Sequence, residues 1–225
     1  MKNKTVLVII LALCYSTALF SQNKNENIRI NQLFNFGWKF KYGENPEAVN
    51  STFDDGEWRK LDLPHDYQIE LPWDKTANRG RGFKTLGAGW YRKTFKADPS
   101  WAGKQISIDF EGIMLSGEVW LNGKKIGGTP YGYLGFEADI STLITYDAAN
   151  VLAVRTTTEG NSRWYTGGGI FRDVHLVVKD SVSIARHGIF ITTPKITAEN
   201  AEVNVQVEVA GITNKEFDLE ILTKI

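Results

Sequence analysis

The chain has 225 residues, 42% of them hydrophobic, enough to bury one sizeable core and begin another. Its 26 basic and 26 acidic residues cancel, and removing Lys2 and Lys4 leaves −2, so no basic face for nucleic acid is expected. Seven Trp and 12% aromatic content suit either a β-sandwich core or a carbohydrate stacking surface, and a neutral glycan remains a natural partner.

Residues 1–21 read as a signal peptide. Lys2 and Lys4 supply the positive start, Thr5 to Leu13 an apolar run too short to span a membrane, and Ser16-Thr17-Ala18 small residues for cleavage. Export from a bacterial cytoplasm is expected, to the periplasm or the exterior, with no membrane attachment after cleavage. A lipoprotein anchored through Cys14 is the alternative, against which stands the bulky Leu13 before it. Cys14 is the sole cysteine, so a chain cleaved beyond it owes nothing to disulfides. Residues 22–30 are polar and read as a linker.

From there the pattern is strand-like and turn-rich, and no segment sustains an amphipathic helical period. Asp54, Asp55, Glu57, Asp62, Asp66, Glu70 and Asp74 form an acidic run that reads mainly as solvated turns. Pro64 disfavours the helical region for Leu63, so His65 and Asp66 are presented from a stiff turn. A strand is expected from about Arg92, with Tyr91 in the core and Trp90 at an edge. Gln105 to Phe110 alternates strictly, placing Ile106, Ile108 and Phe110 on one face. Glu118–Leu121 and Lys124–Gly127 flank Asn122-Gly123, a strong hairpin signal because both turn positions need positive φ. Asn150–Arg155 and Asp173–Val178 read as further strands. Short strands joined by Gly and Asn turns predict an all-β fold, two antiparallel sheets packed as a jelly roll.

Between the last two strands runs Asn161-Ser162-Arg163-Trp164-Tyr165-Thr166-Gly167-Gly168-Gly169-Ile170-Phe171-Arg172-Asp173-Val174. The glycines permit positive φ and close approach, Trp164 and Tyr165 offer flat apolar faces with polar tips, and Arg163 a fork of donors. This suits a sugar, and it equally suits a structural bend. Asp173 is expected to pair with Arg172 or the turn backbone. His65, His175 and His187 lack metal-ligand spacing, and no helix or Lys-Ser/Thr follows the glycines as a phosphate loop requires, so no metal and no cofactor is expected in this chain.

After Lys179 the composition shifts. Ile184–Thr193 is strand-like, Pro194–Asn200 a connector, and Ala201–Val209 and Phe217–Leu222 alternate, as at the start of a second β-domain. Such a sandwich needs about seven strands, so the polypeptide reads as the front of a longer protein.

In order, Phe53–Arg59, Leu61–Tyr67, Gly87–Phe95, Val119–Gly127 and the glycine loop resemble the N-terminal sugar-binding domain of glycoside hydrolase family 2, which includes β-galactosidases, β-glucuronidases and β-mannosidases. The resemblance runs from about Phe36 to Val178. It implies a galactose-binding-like jelly roll over 31–181, the start of an immunoglobulin-like sandwich over 182–225, and a retaining mechanism whose two glutamates lie in a later barrel domain. This chain alone is then inactive, the parent a hydrolase most like a β-galactosidase, and the partners a β-galactoside glycan and the barrel of the same parent. Tyr67 stands where the family often has tryptophan. In several members a carboxylate from the glycine loop reaches the barrel pocket, touching sugar or a cation; here Asn161-Ser162-Arg163 stands instead, so no loop-derived metal ligand is expected, and a cation in the barrel stays open. His65, Asp66, Arg163, Trp164 and Tyr165 are the implied substrate-binding residues, with Asp66 left between capping a turn, pairing with an arginine of the same domain, and reaching across the domain interface. A stand-alone carbohydrate-binding or adhesion module and a structural spacer are the alternatives.

Overall fold

The computed structural model describes residues 29–160, 163–211 and 218–224. The signal peptide, the linker up to residue 28, Asn161, Ser162 and Phe217 lie outside the described residues. In chain order the strands are β1 (Ile30–Leu33), β2 (Trp38–Tyr42), β3 (Arg59–Leu61), β4 (Ala88–Phe95), β5 (Gln105–Phe110), β6 (Ile113–Met114) and β7 (Ser116–Leu121). They continue with β8 (Lys124–Thr129), β9 (Phe136–Asp139), β10 (Asn150–Thr157), β11 (Gly169–Ile170), β12 (Val174–Lys179), β13 (Ser183–Ile196) and β14 (Ala201–Ala210).

A four-stranded sheet, β1-β12-β5-β9, faces a six-stranded sheet, β3-β2-β4-β10-β7-β8, and all pairs within them are antiparallel. The chain is thus an all-β sandwich of jelly-roll type. Period-two alternation puts Ile106, Ile108 and Phe110 of β5, Val119 and Leu121 of β7, and Leu152 and Val154 of β10 into the core between the sheets, all wholly buried. Asn122 and Gly123 take φ of 50° and 82°, as the predicted hairpin requires, and join β7 to β8.

Strand β4 begins at Ala88, earlier than expected, and lies between β2 and β10 in the interior of its sheet. Tyr91 enters the main core as predicted, but Trp90 has no edge role. Trp90 points to the opposite face, is buried, and stacks on Trp120 at 5.6 Å beneath residues 45–58. Arg92, also buried, holds that cover in place. It donates to Asp55 Oδ2 (2.8 Å), to the Asn50 carbonyl (3.0 Å) and to the Ala48 carbonyl. Asp55 is therefore not the solvated turn residue expected. Burial works to raise its pKa, and Lys39 and Arg92 outweigh that and hold it below the usual carboxylate range.

The hairpin β13–β14 stands outside the sandwich with most side chains exposed, including Ile189, Phe190 and Ile191. Its first strand runs through Pro194, where a connector was expected. Pro194 falls in a register shift between Thr192 and Lys195, where a missing N–H breaks no ladder bond. Residues 218–222 enter no strand, contrary to the alternation read there.

Candidate functional site

The antiparallel register brings several loops to one end of the sandwich. Ala88 at the start of β4 pairs with Thr157 at the end of β10, which pairs in turn with Ser116 at the start of β7, and Gly117 pairs with Thr129 at the end of β8. Residues 62–87, 113–115, 130–135, 158–160 and 163–168 consequently emerge side by side, far apart as they are in sequence.

Asp66 ties two of these loops together. Its Oδ1 accepts from the N–H of Gln68 (2.9 Å), capping the one-turn helix Tyr67–Glu70, and from the N–H of Gly168 (2.8 Å). Its Oδ2 accepts from the Tyr165 hydroxyl (2.8 Å). Of the roles open for Asp66, the geometry realises capping and a bridge between loops; its partners are backbone and tyrosine, not arginine. Burial, then the bond to Asp66, raises the Tyr165 pKa well above the ordinary phenol value, so the phenol stays a donor.

The glycines make this junction possible. Gly167 and Gly169 take φ of 75° and 134°. A Cβ on Gly168 would stand 2.4 Å from Thr158, and one on Gly169 2.4 Å from both the His65 carbonyl and the Tyr91 hydroxyl. Backbone bonds from His65 N–H to Ile170 O (2.8 Å) and from Tyr67 N–H to Gly168 O (2.8 Å) lace the loops along their length.

His65 is not presented outward, contrary to the reading of a stiff turn that displays it. Its side chain is 10% exposed, Nδ1 lies 2.7 Å from the Tyr91 hydroxyl, and Nε2 accepts from Arg59 Nη2 (2.8 Å) beside Glu70 (3.3 Å). Arginine only donates, so the neutral ring carries its proton on Nδ1 and gives it to Tyr91. Burial lowers the His65 pKa, against the pull of Glu70. Tyr67, buried and stacked on Phe40, donates to the Gly87 carbonyl, and burial lifts its pKa to about 12.

Arg163, Trp164 and Tyr165 are exposed, with the Arg163 guanidinium 4.6 Å from the centroid of the Trp164 ring. The turn at 79–81 supports them from beneath: a Cβ on Gly80 would meet the Arg163 carbonyl at 2.8 Å, and Arg81 donates to the Gly160 carbonyl. All five residues singled out from sequence thus lie at this end, three facing outward and two, His65 and Asp66, used within the framework.

Elsewhere, Asp173 pairs with Asn35 (2.7 Å) rather than Arg172, and the Asn35 carbonyl oxygen of its amide accepts from Val174 N–H (2.9 Å). Asn35 was missed in the sequence because a lone polar residue before a strand carries no signal of a partner 138 positions away. Sequence spacing also hid the approach of Glu111, Asp173 and His175, whose ligand-type atoms lie within 4.8 Å of one another; His175 faces Glu111 at 3.4 Å as an ion pair would when protonated.

Residues 31–180 match the family model described as glycosyl hydrolases family 2, sugar binding domain. The chain belongs to glycoside hydrolase family 2. Among its family 2 relatives, the chain is similar to the β-galactosidase BoGH2A of Bacteroides ovatus, at 38% identity over 87% of this chain and 23% of that protein. It is similar to a putative β-glucuronidase of Formosa agariphila, at 33% identity over 97% of this chain and 21% of that protein. The fold is similar to that of a β-glycosidase from Bacteroides vulgatus, with a TM-score of 0.77 and 34% identity over 83% of this chain and 25% of that one. The chain therefore spans about a quarter of the length of the family 2 proteins it matches.

Proposed function

We propose that this chain is the non-catalytic N-terminal part of an exported family 2 hydrolase that cleaves β-galactosides with retention. The observation that carries the reading is the Asp66 junction, which locks two distant loops into one rigid base and leaves Arg163, Trp164 and Tyr165 standing outward from it. A retaining glycosidase needs two carboxyl groups about 5 to 5.5 Å apart, one free to donate a proton and one to attack. Asp66 accepts three hydrogen bonds, and Glu70 is held by the Arg59 guanidinium at 2.7 Å, so neither suits that work. In this reading the catalytic glutamates belong to a barrel domain outside this chain. Arg163, Trp164 and Tyr165 border its pocket and touch sugar, while His65 and Asp66 position them. The β-galactosidase relative at 38% identity favours galactosides; the β-glucuronidase relative at 33% supplies the competitor for the test.

The 225-residue chain should hydrolyse neither a chromogenic β-galactoside nor a β-glucuronide, whereas the polypeptide encoded by the whole gene should hydrolyse the galactoside. Activity in the chain alone would overturn the division of labour. A whole protein that cleaves only the glucuronide would overturn the choice of sugar, and one that cleaves no glycoside but binds glycans would return the chain to a binding module. Osmotic-shock fractionation checks export: retention of an uncleaved chain in the cytoplasm would refute it.

A further inference from the structure

The Asp66 junction accounts for two of the loops at this end of the sandwich, and the others build something separate. Residues 115–116, 130–131, 133, 159–160, 164 and 166 enclose a cleft of about 340 Å³, at the small end of the roughly 300–1,000 Å³ common for ligand pockets. Its lining includes Tyr131, Tyr133, Trp164, Ser116, Thr166 and Glu159. The three aromatic side chains are 51%, 49% and 64% exposed, which is a great deal of apolar ring for one small cleft.

The two tyrosines are held in place by the glycines beside them. A Cβ on Gly132 would lie 2.6 Å from Met114 Sδ and 2.9 Å from the Ile113 carbonyl, and one on Gly135 2.6 Å from the Phe110 carbonyl. The backbone of 132–135 thus lies directly against β6 and the end of β5. The rings of Tyr131 and Tyr133 sit 5.5 Å apart, and Phe171 meets Tyr133 edge-on at 6.5 Å. Aromatic side chains fixed in this way bind at little entropic cost, since few rotatable bonds remain to be ordered.

The chemistry around the rings selects the ligand. A pyranose presents patches of C–H that pack on aromatic faces and a rim of hydroxyls that need acceptors and donors, which Glu159, Ser116 and Thr166 supply. Glu159 is the only acidic or basic side chain lining the cleft among the described residues; Arg163 rides on the Trp164 ring but is not part of the lining. A uronate carboxylate would meet the Glu159 carboxylate, whereas a neutral sugar would meet an acceptor.

We propose that the Tyr131–Tyr133–Trp164 cleft binds a neutral pyranose ring of a β-linked glycan, at a position away from the bond that is cut. The source of the glycan rests on the glycosidase reading above; the binding rests on the cleft alone. It adds Tyr131, Tyr133 and Glu159 to the residues that recognise substrate, and it makes the domain discriminate against acidic sugars whatever the barrel prefers.

The test uses the 225-residue chain with lactose and with a β-glucuronyl disaccharide, followed by saturation-transfer NMR and by tryptophan fluorescence. Lactose should bind with Kd of about 1 mM, and the acidic disaccharide at least about tenfold more weakly. Tyr131→Ala/Tyr133→Ala should weaken lactose binding at least about tenfold with an unchanged thermal melt, since both side chains are half exposed. Tyr133→Phe, which keeps the ring, should retain binding, Glu159→Gln should narrow the gap between the two sugars, and Trp73→Ala, exposed but outside the cleft, should change nothing. Absence of saturation transfer at about 20 mM sugar would overturn the proposal and leave the aromatic face to packing against protein. Undiminished binding by the double variant would overturn its location. A whole protein that cleaves no β-galactoside leaves this result standing, and a chain that binds no sugar leaves the hydrolase reading standing.

Discussion

Residues 163–165 and 167–170 are neighbours in one loop, and they meet opposite environments. The first three are exposed and rest on the turn at 79–81, while the glycines and Ile170 are buried against His65, Tyr67, Tyr91 and Thr158. The buried half has no side chain to offer until Ile170 and makes its contacts through backbone, so it fixes where the loop sits. The exposed half turns its rings and guanidinium toward solvent, where a ligand can reach them. Anchoring and presentation are divided between adjacent residues, with Asp66 gripping both sides of the division through Gly168 and Tyr165.

Substitutions should separate the halves sharply. Gly169→Ala asks an L-residue to hold φ of 134° and to place a methyl group on the His65 carbonyl. A loss of about 4 kcal/mol is expected from strain and overlap together. Thermal melts of the chain would show it, and an unshifted melt would mean that the anchoring half is not anchored. Asp66→Ala leaves the N–H groups of Gln68 and Gly168 and the Tyr165 hydroxyl without their acceptor, for an expected loss of about 2–3 kcal/mol by urea titration. A loss confined to the helix cap, under about 1 kcal/mol, would show that the bridge to the glycine loop contributes nothing.

A smaller effect should follow pH. Because burial lowers the His65 pKa in the folded protein, the unfolded chain binds more protons as pH falls below about 6.5. The stability due to the neutral ring is then fully present above that value and is lost as pH falls toward and through the lowered folded pKa. Comparing urea midpoints at about pH 7.5 and about pH 5 should give a steeper decline for the unaltered chain than for His65→Gln. Equal slopes would place the imidazole in contact with water. Smallest of all, Trp164→Ala should change stability by no more than about 0.5 kcal/mol, as befits a residue 64% exposed. A large loss there would erase the contrast between the halves.

Much of the sandwich was legible in the sequence because its signals are local. Alternation in Gln105–Phe110 and the Asn122-Gly123 turn each depend on neighbours a few residues away, and both appear as read. Trp90 was misread because a strand in mid-sheet has two buried faces only when something covers the second, and that cover, residues 45–58, is announced nowhere near it. Arg92 is the clue that could have been used: a cation in a central strand needs a carboxylate, and the acidic run held one in Asp55. At the loop end, the sequence pointed to His65 and Asp66 by motif, yet their inward partners Tyr91, Arg59, Gly168 and Tyr165 are between 6 and 102 positions distant. Tyr131, Tyr133 and Glu159 stood in no recognisable motif at all.

By itself the sequence determined the all-β class, the strands of the core and the family resemblance, since each follows from residue patterns that hold over a few positions or from their order. Only the tertiary structure decided which of the marked residues face outward. Antiparallel register, not sequence distance, chose the loops that share an end of the sandwich. Burial then decided the rest, because a polar group that leaves water must find its partner inside, and Asp66 and His65 found theirs there.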